Sequence, residues 1–232
     1  MKLIGIVARA YYNKDNQKII QLNEAIRLAL AKYDDVVTIL LLPTNNEYYI
    51  DMNMGEDKLE KSDKEKLNYL LEKCDAFIVP GGSSWYSFDE YVIEHAIKTN
   101  KPLLGICAGF QAICSMFAIN RDKFDMTSRF KNDNHYGEPQ EYVHKNKILE
   151  HTLLMDIIGK DSLMVNSLHH DYIDCKMKDL IISSISEDGV IEAVELLNHP
   201  FFLGLEWHPE YLMDVASVKI FDKFVSAIKE PR

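Results

Sequence analysis

The sequence predicts an α/β fold: a mostly parallel sheet in the N-terminal half, followed by antiparallel strands. Up to Ala118, short apolar runs alternate with amphipathic segments, the pattern of parallel strands joined by crossover helices. Beyond residue 160 the apolar runs are separated only by turn signals such as Asp188-Gly189 and Asn198-His-Pro, the pattern of close-set strands. The 232 residues are 47% hydrophobic, enough for one substantial core, and carry no internal repeat, low-complexity tract or linker. Residues 1–232 are therefore expected to form a single domain.

Leu3 to Ala8 is a β-rich apolar run, and Ile19, Leu22, Ile26, Ala29, Leu30 and Tyr33 then recur at helical spacing. Val36 to Leu42 is a second strand, stopped by Pro43. Ser62 and Glu65 have capping-box spacing ahead of a helical face made by Leu67, Leu70, Leu71 and Cys74. The charged residues of Glu56 to Lys66 read as its solvated side. Ala76 to Val79 is a third strand ending in Pro80-Gly81-Gly82, and Ser87 with Glu90 offers another capping box before a helix to about Lys98. Leu103 to Ile106 is the fourth strand and Ala108 to Ala118 a helix, whereas Arg121 to Gln140 is polar and irregular, a long loop. Ser162 to Val165, Leu180 to Ile185, Val190 to Leu197 and Phe201 to Glu206 supply the later strands. Val218, Phe221, Val225 and Ile228 mark a last helix.

The formal charge of −10, from 36 acidic and 26 basic residues, argues against nucleic acid or an anionic membrane as partner, since both need clustered positive charge. Arg9 ends the first apolar run too early for a secretory signal, and no stretch approaches the roughly 20 apolar residues of a membrane span, so a cytoplasmic protein is expected. The cysteines at 74, 107, 114 and 175 are too few and scattered for a disulfide framework, and no CxxC pair offers a zinc site. Cys107 and Cys114 would lie about 10 Å apart along a helix. Cys74, Cys114 and Cys175 read as small buried hydrophobes.

Cys107 is different. In Gly105-Ile-Cys107-Ala-Gly109 a strand gives way to a helix, and glycines two residues either side relieve the crowding of a sharp corner that holds its central side chain up. The helix start then aims its dipole and free amides at the sulfur, favouring the thiolate. Taken alone the motif is equally a close-packing device. Trp207-His208-Pro209-Glu210 supplies a base and a carboxylate to orient it, with Pro209 restricting His208 to extended conformations that leave His208 and Glu210 on one side. A turn after a strand is the alternative. Pro80-Gly81-Gly82 ends a strand expected beside that of Cys107, at the edge where open α/β sheets bind ligands. Its bare backbone offers a second oxyanion donor, or a plain turn.

Gly-Ile-Cys107-Ala-Gly-Phe-Gln111 and His208-Pro-Glu210 resemble the nucleophile and base motifs of the class I glutamine amidotransferase superfamily. Val165-Asn-Ser-Leu-His169-His170, Asp188-Gly-Val-Ile-Glu-Ala-Val and Trp207-His-Pro-Glu are similar, in order, to segments of its gamma-glutamyl-gamma-aminobutyrate hydrolase group. The resemblance implies a three-layer, mostly parallel sheet sandwiched by helices on a flavodoxin-like core, with Cys107 as nucleophile, His208 as base and Glu210 as orienter. It further implies oxyanion donors at the Gly82 and Ala108 amides, and substrate contacts at Gly81, Gln111, Asn166, Ser167, His169 and His170. Three positions depart from the group: Ala108 stands where Arg is common, Asp171 where Gln follows the paired histidines, and Ser83-Ser-Trp-Tyr86 where an aspartate-containing segment is usual.

The expected activity is hydrolysis of a small γ-glutamyl amide, of γ-aminobutyrate or polyamine type, through a thioester on Cys107 and without metal or organic cofactor. Adjacent strand residues face opposite ways, so His169 and His170 read as substrate or packing residues rather than ligands, and at most one faces the pocket. His135, His144, His151 and His199 read as surface or structural. Asp171, on the leaving-group side, would favour a cationic amine. The alternatives are a glutaminase component delivering ammonia to a synthetase partner, and a catalytically silent ligand-binding protein of the same fold. A homodimer is compatible with each.

Overall fold

The computed structural model describes residues 1–42, 59–119, 126–128 and 134–228. The strands are β1 (Lys2–Val7), β2 (Arg9–Tyr12), β3 (Lys18–Gln21), β4 (Val36–Leu41), β5 (Ala76–Val79), β6 (Leu103–Ile106), β7 (Met126–Ser128), β8 (His144–Ile148), β9 (Ser162–Val165), β10 (Asp171–Ile173), β11 (Leu180–Ser186), β12 (Ile191–Leu196) and β13 (Phe202–Leu205). The helices are α1 (Glu24–Leu30), α2 (Lys61–Leu71), α3 (Ser87–Thr99), α4 (Ala108–Phe117), α5 (Leu153–Ile158), α6 (Pro209–Leu212) and α7 (Val215–Ser226).

Nine strands form one sheet in the order β4-β1-β5-β6-β13-β12-β11-β8-β9. Pairing is parallel from β4 to β13 and antiparallel from there to β9. Strand alternation sorts the core onto two faces. Ala76, Ile78, Leu104, Ile106, Leu203 and Leu205 pack with Ile26, Ile157 and Phe221 of α1, α5 and α7. Phe77, Val79, Leu103 and Phe202 pack on the other face with Leu67, Val92 and Ile113 of α2, α3 and α4. The result is the expected three-layer sandwich with an antiparallel extension.

The order β5-β6-β13 decides where chemistry can occur. These neighbours run parallel, so Pro80-Gly81-Gly82, Cys107 and His208, which follow their C-terminal ends, emerge along one edge.

Several elements differ from expectation. Ile19 lies in β3, which forms a hairpin with β2, and the helix is confined to α1 with Asn23 as its cap. Asn13 builds the hairpin turn, its Oδ1 accepting from the amides of Asp15 and Gln17, while Asn16 takes the left-handed conformation. α2 starts one residue before Ser62, with Glu60 at the cap. α3 is capped at Tyr86, whose amide donates to Asp89, one residue ahead of the expected Ser87–Glu90 pair. β8, α5, β10 and α6 were not anticipated. Within Arg121–Gln140, residues 126–128 form a strand against β10, while 120–125 and 129–133 lie outside the described residues, as do Pro43 and Glu56.

Candidate active site

Cys107 sits at the corner between β6 and α4 with φ 50° and ψ −108°, a conformation outside the ordinary regions and costing about 1–3 kcal/mol for a side-chain-bearing residue. The glycines make the corner buildable. A Cβ on Gly109 would lie 2.0 Å from the Val79 carbonyl oxygen, so the first turn of α4 rests directly on the backbone of β5. A Cβ on Gly105 would meet Ile113 at 2.6 Å and the Gly109 carbonyl at 3.0 Å. Cys107 is 7% exposed, enough to open onto the cavity beside it.

His208 follows β13 and caps α6. Pro209 opens a helical turn rather than prolonging the strand, and that turn returns Glu210 to the imidazole, with His208 Nδ1 to Glu210 Oε1 at 2.7 Å. The Cys107 sulfur lies near enough to the ring to favour its protonated form. Burial opposes the imidazolium, yet the Glu210 carboxylate and the Cys107 sulfur outweigh it and hold His208 well above the ordinary histidine range. Gly81 fills the space against both groups: a Cβ there would be 2.6 Å from His208 Cε1 and 3.4 Å from Cys107 Cβ.

Gly82 shares the cavity lining with Cys107, and Ala108 follows Cys107 in the chain. Ala108 is the first residue of α4, whose first-turn amides have no partner within the helix. Gly82 is set by a residue that carries no sequence signal, Arg9. Its Nη2 donates to the Pro80 carbonyl at 2.5 Å, its Nε to the Gly81 carbonyl at 3.2 Å, and its Nη1 pairs with buried Asp89 at 2.5 Å. In a trans peptide the C=O and N–H point opposite ways, so anchoring the Gly81 oxygen turns the Gly82 N–H away from the guanidinium.

The cavity beside these groups measures about 550 Å³, and its lining includes Arg9, Tyr11, Asn23, Ser83, Tyr86 and Tyr211 as well as Gly81, Gly82, Cys107 and His208. The expected substrate contacts fare differently. Gln111 is 5% exposed and donates to Glu206 Oε1 at 2.7 Å, toward the core. Burial lifts Glu206 to about 7, against the pull of His169 and Gln111. Asn166 and Ser167 are fully buried. Asn166 clasps the backbone of His208, accepting from its N–H and donating to its C=O, both at 2.9 Å. Ser167 Oγ donates to the His135 carbonyl. His169 is buried among His135, His144 and Glu192, while His170 is exposed and stacks on Tyr136. From this segment Leu168 lines the cavity, and neither histidine does among the described residues. Asp171 sits in β10 and is not among the described lining residues either. His135 is buried and His144 half-buried, so neither is a surface residue. Cys175 is half-buried, and all four cysteines are free.

No helix among the described residues is long and apolar enough to cross a membrane. The chain is 27% identical to a glutamine amidotransferase-like protein of Rickettsia prowazekii, over 71% of this chain and 81% of that protein. It is 31% identical to the CTP synthase of Sulfurisphaera tokodaii over 90% of its own length, which spans 42% of that enzyme. In fold it matches the glutaminase domain of the Trypanosoma brucei CTPS, with a TM-score of 0.63 at 17% identity over 100% of this chain and 96% of the other. The Peptidase C26 family profile matches residues 86–210, the stretch that carries Cys107, His208 and Glu210. The chain belongs to the Peptidase C26 family, within the class I glutamine amidotransferase-like proteins.

Proposed function

We propose that the protein hydrolyses the γ-glutamyl amide bond of a small γ-glutamyl compound through a thioester on Cys107. The observation that carries this reading is the strained corner at Cys107 beside a buried imidazole held by Glu210 at 2.7 Å, with Gly81 packed against both His208 and Cys107. His208, held protonated by Glu210 and the sulfur, already carries the thiol proton when the sulfur attacks the γ-carbonyl carbon. The carbonyl oxygen becomes an oxyanion received by the amides of Gly82 and Ala108, each such donor being worth about 3 kcal/mol of barrier. Collapse breaks the C–N bond, and His208 gives its proton to the departing amine. Water then attacks the thioester, losing a proton to His208, and the second collapse releases glutamate and returns the proton to sulfur. The 550 Å³ cavity suits a small substrate.

The test is a panel of γ-glutamyl amines and glutamine offered to wild type and Cys107→Ala, with mass spectrometry following the sulfur. Wild type should release glutamate and show an acylated Cys107, and the variant neither. A folded wild type that never acylates would leave the ligand-binding alternative standing. A second reading, a glutaminase component serving a synthetase, is favoured by the alignment with 42% of a CTP synthase. Ammonia released from glutamine far faster than amines from other γ-glutamyl compounds would select it.

A further inference from the structure

On the antiparallel side of the sheet, four side chains from separate segments meet: His135, His144 at the start of β8, His169 ahead of β10, and Glu192 in β12. None of them is among the described residues lining the Cys107 cavity. Glu192 Oε1 lies 3.3 Å from His135 Nδ1, 3.6 Å from His169 Nε2 and 3.7 Å from His144 Nε2, and His135 Nδ1 lies 3.4 Å from His169 Nε2. Four ligands bound tetrahedrally at about 2.1 Å stand about 3.4 Å from one another, so these four separations match a tetrahedral nitrogen–oxygen site, and all four atoms lie within 4.8 Å of one another.

The outward sides of two rings fix which atoms face inward. His135 Nε2 meets the Asp188 carboxylate at 3.1 and 3.3 Å, and Asp188 is itself hydrogen-bonded by Ser186 Oγ. His169 Nδ1 meets the Asp171 carbonyl at 2.8 Å. A carboxylate and a carbonyl only accept, so both outward nitrogens carry N–H. In the neutral rings His135 Nδ1 and His169 Nε2 are then lone pairs turned toward Glu192, the outer bonding by which proteins orient metal-binding histidines. Glu192 Oε1 and both ring nitrogens of His144 are buried without a hydrogen-bond partner. Glu192 has no exposure, so its charge needs a cation at hand, either a protonated histidine of the cluster or a bound metal ion. An open cavity of about 640 Å³, lined by His135, His144 and Asp188, gives an ion a route in.

We propose that His135, His144, His169 and Glu192 bind one divalent transition-metal ion of the zinc class in a closed, structural site. Imidazole and carboxylate donors suit zinc, cobalt or nickel over calcium or magnesium, and four protein ligands leave no coordination position for substrate. The ion ties residues 134–137 and the Asn166-bearing segment to the antiparallel strands. This site stands independently of the hydrolase reading.

The probe is Co²⁺ added to the full chain after chelator treatment and gel filtration. Wild type and Cys107→Ala should both take up one equivalent, with the intense visible absorption of tetrahedral cobalt. Zn²⁺ should displace it and, at a hundredfold excess over its Kd, raise the melting temperature by about 5–10 °C. Glu192→Gln and His144→Ala should lose the cobalt spectrum and the shift, while the exposed neighbour Glu187→Gln keeps both. If Glu192→Gln does not fold, His144→Ala carries the comparison, its imidazole being the most accessible of the three. Folded wild type that binds no stoichiometric Co²⁺ or Zn²⁺ overturns the proposal, leaving the cluster as a protonated ion-pair network. So does binding that survives both substitutions or vanishes with Cys107.

Discussion

Gly81→Ala isolates the contact between imidazole and sulfur. The added Cβ would stand 2.6 Å from His208 Cε1, about 0.8 Å inside ordinary contact, and at an acceptable 3.4 Å from Cys107 Cβ. Gly81 has no positive φ, so alanine costs little on the backbone itself. The loop cannot easily retreat, because Arg9 holds the carbonyls of Pro80 and Gly81. The strain therefore falls on the ring, which must move by nearly 1 Å while still tethered to Glu210. A misplacement of that size in a catalytic group costs about 10²-fold, near 2.7 kcal/mol of barrier. Steady-state release of a chromogenic amine from a γ-glutamyl anilide reads kcat, labelling with a glutamine-mimicking electrophile reads the sulfur, and a melting curve reads the fold. We expect kcat to fall about 10²-fold with the melting temperature within a few degrees of wild type. Full turnover in a normally folded variant would refute the placement of His208 against Cys107.

Asn166→Ala removes both bonds that clasp the His208 backbone, and should lower kcat about 10- to 100-fold with KM nearly unchanged. A rise in KM alone would restore Asn166 as a substrate contact. Arg9→Met removes the cation beside the buried carboxylate of Asp89, so urea denaturation should show a loss of about 3–5 kcal/mol, largely recovered in Arg9→Met/Asp89→Asn; a single variant as stable as wild type sinks the argument. Glu210 and the Cys107 sulfur hold His208 protonated above its ordinary range, so the acid needed by the leaving amine fails only on the alkaline side. In Glu210→Gln that alkaline fall of kcat/KM should move toward neutrality, and an unmoved limb would assign it to another group.

The parallel half of the sheet and its reactive edge were legible because their signals are local. Gly105, Cys107 and Gly109 mark the corner within five residues, although the approach that Gly109 permits is to Val79 of β5, and His208-Pro-Glu210 spans a single turn. The hairpin of β2 and β3 was missed because Ile19, Leu22 and Ile26 satisfy a helical period while Ile19 in fact pairs with Tyr11, and the turn built by Asn13 was the overlooked cue. Arg9 sits at the end of an apolar run, and only the fold brings it to Pro80, Gly81 and Asp89. The histidine cluster was invisible for a related reason. Its ligands come from four segments whose spacing matches no motif, and His169 was judged against its neighbour His170 instead of against residues that the sheet carries to it.

Residues 166–170 explain how the two halves of the molecule act on one another. Asn166 clasps the backbone of His208, Ser167 and His169 bond the backbone at 135 and 137, Leu168 lines the cavity, and the His169 ring enters the cluster around Glu192. The His169 ring also lies 3.6 Å from Glu206, which accepts from Gln111 on the helix that Cys107 caps. A short segment with one side on the imidazole and the other in a polar cluster has little freedom as long as the charges of the cluster are compensated, since uncompensated buried charge there would favour local opening. The polar residues that the resemblance marks as substrate contacts are turned here toward backbone and toward one another, while Tyr11, Asn23, Ser83 and Tyr86 line the open cavity.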